Sequence, residues 1–453
     1  MSTEQIDATV NEETQELSVF EKNIDGYITQ INSLMDTMPI ILNILASNTI
    51  MHIDKFRDFI KQQGLDKPKK GEASQFPIEL YGRYERLNSN AEKAIKAFEL
   101  YPCNMVVSFV SMYDAFLGNV IKAIYATMPE KLNECNRDIP INEILQFESI
   151  EEAKERVIEK EAESVIRSSH SEQLDWFKKR LGTSFKEFDS YNKFIEITER
   201  RNLFVHTNGV VSRQYLNICR ENKVKDSSKI KVGDTLSVTP EYIQNCYNVL
   251  FEVGVKLGIV VWRKLKKGDE EADCYLNTIC YNLLKQERYE LAKIMLNFAT
   301  ETLKNIATDE IRRMLIINKA LAYYLAGDKQ TCNSIISKED WSACAVKFQL
   351  AIAVLKEDYK LAASKMETEK SDIDKIAYRE WPLFKNFRNS EEFKSEYQKL
   401  FGHGFDYTEP QKENFNEILH YAMDIQNKVK NIVDKDLEEN HEGKQIDGSL
   451  VVE

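Results

Sequence analysis

The sequence predicts an all-α protein, and three observations carry the prediction. Gly (16) and Pro (9) are scarce in 453 residues, which favours long helices over a turn-rich β fold. Apolar residues recur at helical spacing along most of the chain. Beyond Gly268 a pattern of short helix pairs repeats. The chain is too long for one compact core, so more than one domain is expected.

The elements follow in order. Phe20, Ile24, Tyr27, Ile31 and Leu34 mark a first amphipathic helix, and a second apolar stretch, Ile40 to Ile50, follows Pro39. The polar segment from Lys67 to Glu72 is a breaker and a plausible boundary. A long helix is expected from Arg86 to about Met128, apolar nearly all round, ended by Pro129. Helical pieces are expected around Ile150–Ile166. Phe185, Phe188, Tyr191 and Ile195 open a further helix that runs to His206, where Thr207-Asn208-Gly209 supplies a left-handed stop. The stretch from Lys223 to Thr239, with Gly233-Asp234 inside it, carries the one hairpin signal. A last bundle helix runs from Pro240 to Lys267, its basic end suiting a helix C-terminus.

The segments YNLLKQERYELAKIML at 281, YYLAGDKQTCNSII at 323 and AVLKEDYKLAASKM at 353 then share one pattern. Each has an apolar helix end, a polar turn and a helix entering with Ala or Cys. REWPLFKNFRNSEEFKSEYQKLF reads as a terminal repeat. An amphipathic helix over Phe415, Ile418, Met423 and Val429 follows, and the end from about Asp434 is polar and expected to be disordered. The division read from this pattern is 1–75, a helical segment; 76–267, a helical bundle; 268–402, the repeats; and 403–453, a terminal helix and acidic tail.

A net charge of -12 argues against a protein that coats DNA, though not against a small basic pocket for RNA. The eight cysteines form no CxxC pair and read as ordinary thiols of a cytoplasmic protein. The start, MSTEQIDATVNEET, is polar and acidic, so no secretory signal is expected. The most apolar stretch, Met105 to Tyr125, is interrupted by Asp114, Asn119 and Lys122 and reads as a buried helix, with no membrane partner. No metal or other cofactor is expected, because no compact carboxylate/His cluster offers a site.

The candidate chemistry lies in Thr198-Glu199-Arg200-Arg201-Asn202-Leu203-Phe204-Val205-His206. On a helix Phe194, Ile197, Arg201 and Phe204 share a face, so the Arg201 charge points where apolar neighbours point. A buried guanidinium is costly unless paired. Ile195, Glu199, Asn202 and His206 form an adjacent stripe, and Asn202 is one turn before His206, where it can hold the ring. Ordinary structural roles fit the same residues: His206 as a helix-end cap, and Arg201 as an ion pair with Asp114 or Glu199. Ser111 and Asp114 lie on a small polar stripe of the long helix and are candidates to face the motif helix. His52, His170, His403, His420 and His441 show no partner pattern.

Arg201-Asn202-x-x-x-His206 resembles the Rx4-6H motif of the HEPN superfamily. The order around it is similar too, with FVSMYDAFLGNVI in a long helix before the motif and VGVKLGIVVWRKL in a helix after it. The resemblance covers about residues 80–267, with a segment between Pro129 and Arg180 longer than a minimal domain. It implies a four-helix core that dimerises and faces two motifs across the dimer axis. It also implies metal-free RNA cleavage by 2'-hydroxyl attack, with Arg201 and His206 catalytic and Asn202 orienting. Glu199, Asp114 and Ser111 are the supporting candidates. Arg200, Lys178, Lys179, Arg180 and Arg213 are the candidates to hold the RNA backbone. The repeats resemble degenerate tetratricopeptide-like repeats, a docking arm for a protein or phage-derived trigger. Proteins resembling this layout act as conditional toxins in anti-phage defence. The competing expectation is a non-catalytic dimerisation or RNA- or nucleotide-binding adaptor.

Overall fold

A computed structural model describes residues 18–64, 78–135, 140–224, 229–368 and 373–406. The expected breaker at Lys67–Glu72, the helix over Phe415–Val429 and the tail lie outside the described residues. The rest is helical: α1 (Val19–Gln62), α2 (Ile78–Thr127), α3 (Ile141–Ile144), α4 (Ile150–Arg167), α5 (His170–Leu181), α6 (Tyr191–Thr207), α7 (Arg213–Glu221) and α8 (Pro240–Leu265). Then follow α9 (Glu271–Lys285), α10 (Tyr289–Asn297), α11 (Asp309–Leu325), α12 (Lys329–Ile336), α13 (Val346–Leu355), α14 (Tyr359–Thr368), α15 (Lys375–Glu380) and α16 (Glu391–Phe401).

Some boundaries differ from those read in the sequence. Pro39 lies inside one continuous α1, and Pro102 lies inside α2, which starts at Ile78 rather than near Arg86. A proline removes one helical N–H without forbidding the helix when flanking packing is strong. The helix expected to open at Phe185 begins at Tyr191. The small hairpin is absent from the described residues. In its place one isolated antiparallel bridge joins Val210 to Thr235. The turn at Gly233, φ +92, is present. Its partner is the segment just after α6: Val211 N donates to Asp234 O (2.8 Å) and Leu236 N to Gly209 O (3.0 Å). Pro240 starts α8 five residues after Thr235.

The described contacts divide the chain into two compact units. The unit of 1–28, 116–168 and 254–393 holds the start of α1, the end of α2 and the helix pairs. There Phe20 stacks on Trp262 (6.1 Å) and Tyr27 on Phe116 (4.6 Å). Its helix pairs α9–α10, α11–α12 and α13–α14 turn through Glu287, Gly327 and Glu357, each at positive φ. At each turn the pair of bonds is the same: Arg288 N to Leu283 O, Asp328 N to Tyr323 O and Asp358 N to Ala353 O, each with a second bond from the positive-φ residue. These are Schellman caps, which satisfy the last carbonyls of a helix by a left-handed residue. Glycine takes that position at the middle turn alone. Glu287 and Glu357 hold it at a cost of about 1 kcal/mol each, with Lys385 on Glu287 (2.8 Å) and Lys329 on Glu357 (2.6 Å).

The unit of 29–115, 169–253 and 394–453 holds most of α1 and α2 with α5, α6, α7 and the first half of α8. Tyr247 donates to Asn32 Oδ1 (2.7 Å) and sits edge-on to Phe109 (6.3 Å). Thr49 Oγ1 donates to Ala94 O (3.1 Å), tying α1 to α2. By length and composition alone α1 and α2 are apolar enough to cross a membrane, and 56% of the best window of α2 is buried inside the protein.

Gly254 tests the packing of α1 on α8. A Cβ there would fall on the Tyr27 ring, whereas one at Gly26 would meet nothing within 4 Å. Gly254→Ala is expected to destabilise by about 1–3 kcal/mol, and Gly26→Ala to stabilise by up to about 1 kcal/mol. Urea unfolding measures both, and equal midpoints would refute the close approach.

Candidate functional site

The motif helix α6 carries two polar networks on different faces. Glu196 and Arg200 lie four residues apart and pair at 2.7 Å. Tyr215 of α7 and Tyr242 of α8 each donate to Glu196, on Oε1 and Oε2 respectively, both at 2.7 Å. The Arg200 guanidinium stacks over the Tyr242 ring at 4.0 Å. Burial pushes both phenols up, and pushes the neighbouring Cys219 thiol up to about 11. Arg200, expected at the RNA backbone, is therefore committed to a buried ion pair that fixes α6 to α7 and α8.

The second network joins three helices. Asp114 of α2 accepts from Arg201 Nη2 at Oδ2 (2.7 Å) and pairs with His170 Nε2 of α5 at Oδ1 (3.0 Å). The tautomer with its proton on Nε2 is the one that can donate to this carboxylate. His170 is 6% exposed and packs edge-on to Phe194 (5.7 Å) and near Tyr113 (6.2 Å). Arg201 and Asp114 are about one-fifth exposed. Arg201 Nε is buried and has no hydrogen-bond partner. Glu199 lies in the same cluster. Burial pushes its carboxyl above the usual range, partly offset by His170, the Asn202 amide and Arg201.

Asn202 thus reaches Glu199, where the sequence placed it at the ring of His206. His206 is exposed in the last turn of α6 and makes no hydrogen bond among the described residues. That turn is wider than an α-turn, since Asn208 N and Gly209 N both donate to Leu203 O. Asn208 (φ 52) and Gly209 (φ 82) supply the expected left-handed stop. A Cβ on Gly209 would lie 3.1 Å from Leu236 O, so glycine lets the next segment bridge and anchors the chain behind His206. Ser111 is exposed, and its hydroxyl donates to Val107 O of its own helix (2.9 Å). Lys178 and Lys179 are exposed and Arg180 lies over the Trp176 ring (5.7 Å), all in the last turn of α5. At 1.5 Å per residue they are about 12–15 Å along that helix from His170. Arg213 is exposed at the first residue of α7. Among the described residues no three His, Cys, Asp or Glu side chains gather at metal-binding range.

His170 is the residue that sequence reasoning missed, although a signal was present. Ser169 and Glu172 form a capping box, so His170 opens a helix. His170, Leu174, Phe177 and Leu181 then fall on its buried stripe. A histidine on an apolar stripe needs a polar partner, and Asp114 is that partner.

Two predictions test the site's electrostatics. A raised carboxyl means that the folded state binds the Glu199 proton more tightly than the unfolded state does. Stability is then lost as pH rises from the unfolded value, about 4.3, through the folded one. Glu199→Gln should be more stable than wild type at pH 8, and the gap should shrink towards pH 4. Thermal unfolding across that range checks it, and a gap that does not change with pH would count against a buried carboxyl. Arg200→Ala leaves Glu196 buried with no cation and should destabilise by roughly 3–5 kcal/mol, far more than Lys178→Ala in the same denaturant titration.

No family model matches this chain, and no curated protein or solved structure matches it.

Proposed function

We propose that the chain is a metal-independent endoribonuclease of HEPN type, acting in the cytoplasm as a homodimer and serving as a conditional toxin in anti-phage defence. The observation that carries this reading is how Arg201 is held. One nitrogen, Nη2, is fixed by Asp114, and Nη1 has no protein partner among the described residues. A guanidinium anchored at one point inside an apolar setting is suited to receive a phosphate. His206, exposed and without a hydrogen bond among the described residues, supplies an imidazole, the side chain most often used for general acid–base work.

In the proposed step the RNA 2'-hydroxyl attacks the adjacent phosphorus. The 2'-O–P bond forms, the P–5'-O bond breaks, and the products are a 2',3'-cyclic phosphate and a 5'-hydroxyl. One His206 takes the 2'-hydroxyl proton and the His206 of a second copy gives a proton to the leaving 5'-oxygen. Arg201 meets the charge on the phosphate. Five residues along a helix put Arg201 and His206 about 140° apart, so two copies that face each other supply the full set. The helix pairs beyond Gly268 serve as a tetratricopeptide-like docking arm for a protein or phage-derived trigger.

A second reading has its own observation. A half-buried Arg201–Asp114 pair with His170 behind it is also how a structural ion pair is built, and it suits a non-catalytic HEPN adaptor that binds RNA or nucleotide. Total RNA and tRNA incubated with wild type, Arg201→Ala and His206→Ala in EDTA decide between them. The ribonuclease reading expects cyclic-phosphate ends from wild type and a loss of roughly 100-fold or more in each variant. Folded variants that cleave like wild type would show that the chemistry lies elsewhere, and intact RNA with the trigger present would favour the adaptor.

A further inference from the structure

Asp114 accepts from two donors, His170 Nε2 and Arg201 Nη2. Oδ1 pairs with His170 at 3.0 Å and Oδ2 with Arg201 Nη2 at 2.7 Å. Arg201 Nε, on the same edge of the guanidinium as Nη2, is buried and has no partner. That orphan is costly, because a buried donor without an acceptor loses about 1–3 kcal/mol. The usual arrangement of an arginine with a carboxylate is a fork, two parallel bonds from two nitrogens to two oxygens. Here the fork is half made: Oδ1, turned to His170, makes no bond with Nε.

From this geometry we infer that His170 is a positioning residue for Arg201. It holds Asp114 Oδ1, keeps the Arg201–Asp114 pair to a single bond, and so leaves the guanidinium free to turn its outer face to an RNA phosphate. The inference rests on the reading of Arg201 as the phosphate-binding group. It assigns a role to α5, which comes from the segment longer than a minimal HEPN domain: its capping box at Ser169 and Glu172 sets the helix start, and its first residue reaches across to α2. Tyr113 and Phe194 wall the imidazole on two sides, so the ring has no other course than towards Asp114. Glu199 also lies near His170.

His170→Phe keeps the ring volume and removes the donor. Asp114 then closes the fork on Nε and Nη2, and Arg201 is drawn into a two-bond pair. His170→Gln keeps an N–H where Nε2 stands and should behave like wild type. The full chain, labelled with 15N-arginine, reports the Arg201 Nε–H signal, assigned by its loss in Arg201→Lys. Expected in His170→Phe are a slower solvent exchange of Nε–H, a melting temperature equal to or above wild type, and a fall of about tenfold in kcat/KM on single-stranded RNA. That fall matches one charge-assisted hydrogen bond. His170→Gln is expected to restore all three. A purely structural histidine would instead lower stability and activity together in His170→Phe, with Nε–H exchange unchanged, and that result overturns the inference. Unchanged activity in a folded His170→Phe overturns it as well. If His170→Phe does not fold, His170→Asn, whose amide stops short of Asp114, replaces it with the same readouts. Wild type that leaves RNA uncut refutes the ribonuclease reading, while the Nε–H exchange still decides for or against the positioning of Arg201.

Discussion

A single carboxylate, Asp114, has to neutralise one half-buried arginine and satisfy one buried histidine at once, and the geometry around α6 follows from that demand. A guanidinium among apolar side chains is tolerable only with a counter-charge at hydrogen-bond distance. Asp114 sits in the middle of α2, whose neighbours Phe109, Val110, Tyr113, Phe116 and Leu117 are buried. The backbone that carries the carboxylate is therefore held by packing. Arg201 and His170 must come to it, and they do so from α6 and α5. With the carboxylate turned to serve both, Arg201 Nε is left without an acceptor.

The other face of α6 explains how such a strained partnership is held in place. Glu196 gathers Arg200, Tyr215 and Tyr242 at 2.7 Å each. This network is saturated: two oxygens, three donors, and a cation stacked on an aromatic ring. Networks with every member satisfied rigidify their surroundings. The saturated side fixes the rotation of α6, and the incompletely satisfied side is then presented at a set angle to α2. One helix therefore combines an anchor and a group with unused donors.

Much of this was legible in the sequence. The all-α class, the left-handed stop at Asn208-Gly209, and the helix pairs after Gly268 are local features: propensity, spacing and cap chemistry act within a few residues, so one chain segment reveals them. Arg201 as a partly enclosed charge in need of a partner was legible for the same reason, since helical spacing alone put it among apolar neighbours. What was not legible involves chain-distant pairings. His170 and Asp114 are separated by 56 residues, and no periodicity connects them. Arg200 looked like a surface cation because the Tyr242 ring that covers it, and the Tyr215 that shares its partner Glu196, come from two later helices. The bridge at Val210 looked like a hairpin because the turn at Gly233 has the right residues, while its partner lay upstream of α7.

The contrast between Arg201 and His206 follows from the same geometry. Arg201 is enclosed, and everything it requires is supplied within one chain: a counter-ion, a second donor to hold that counter-ion, and apolar walls. His206 lies in a wide last turn, exposed, with the chain behind it pinned by the bridge of Val210 to Thr235. Nothing among the described residues of the chain orients its ring. A general acid or base requires an oriented ring, so in the proposed ribonuclease the orientation of His206 has to come from outside the chain, from the RNA or from a second copy. The fold thus builds the phosphate-binding half of the proposed site internally and leaves the proton-transfer half to be completed on assembly. This division also suits an enzyme that must stay silent until triggered, since the incomplete half is the half that assembly controls.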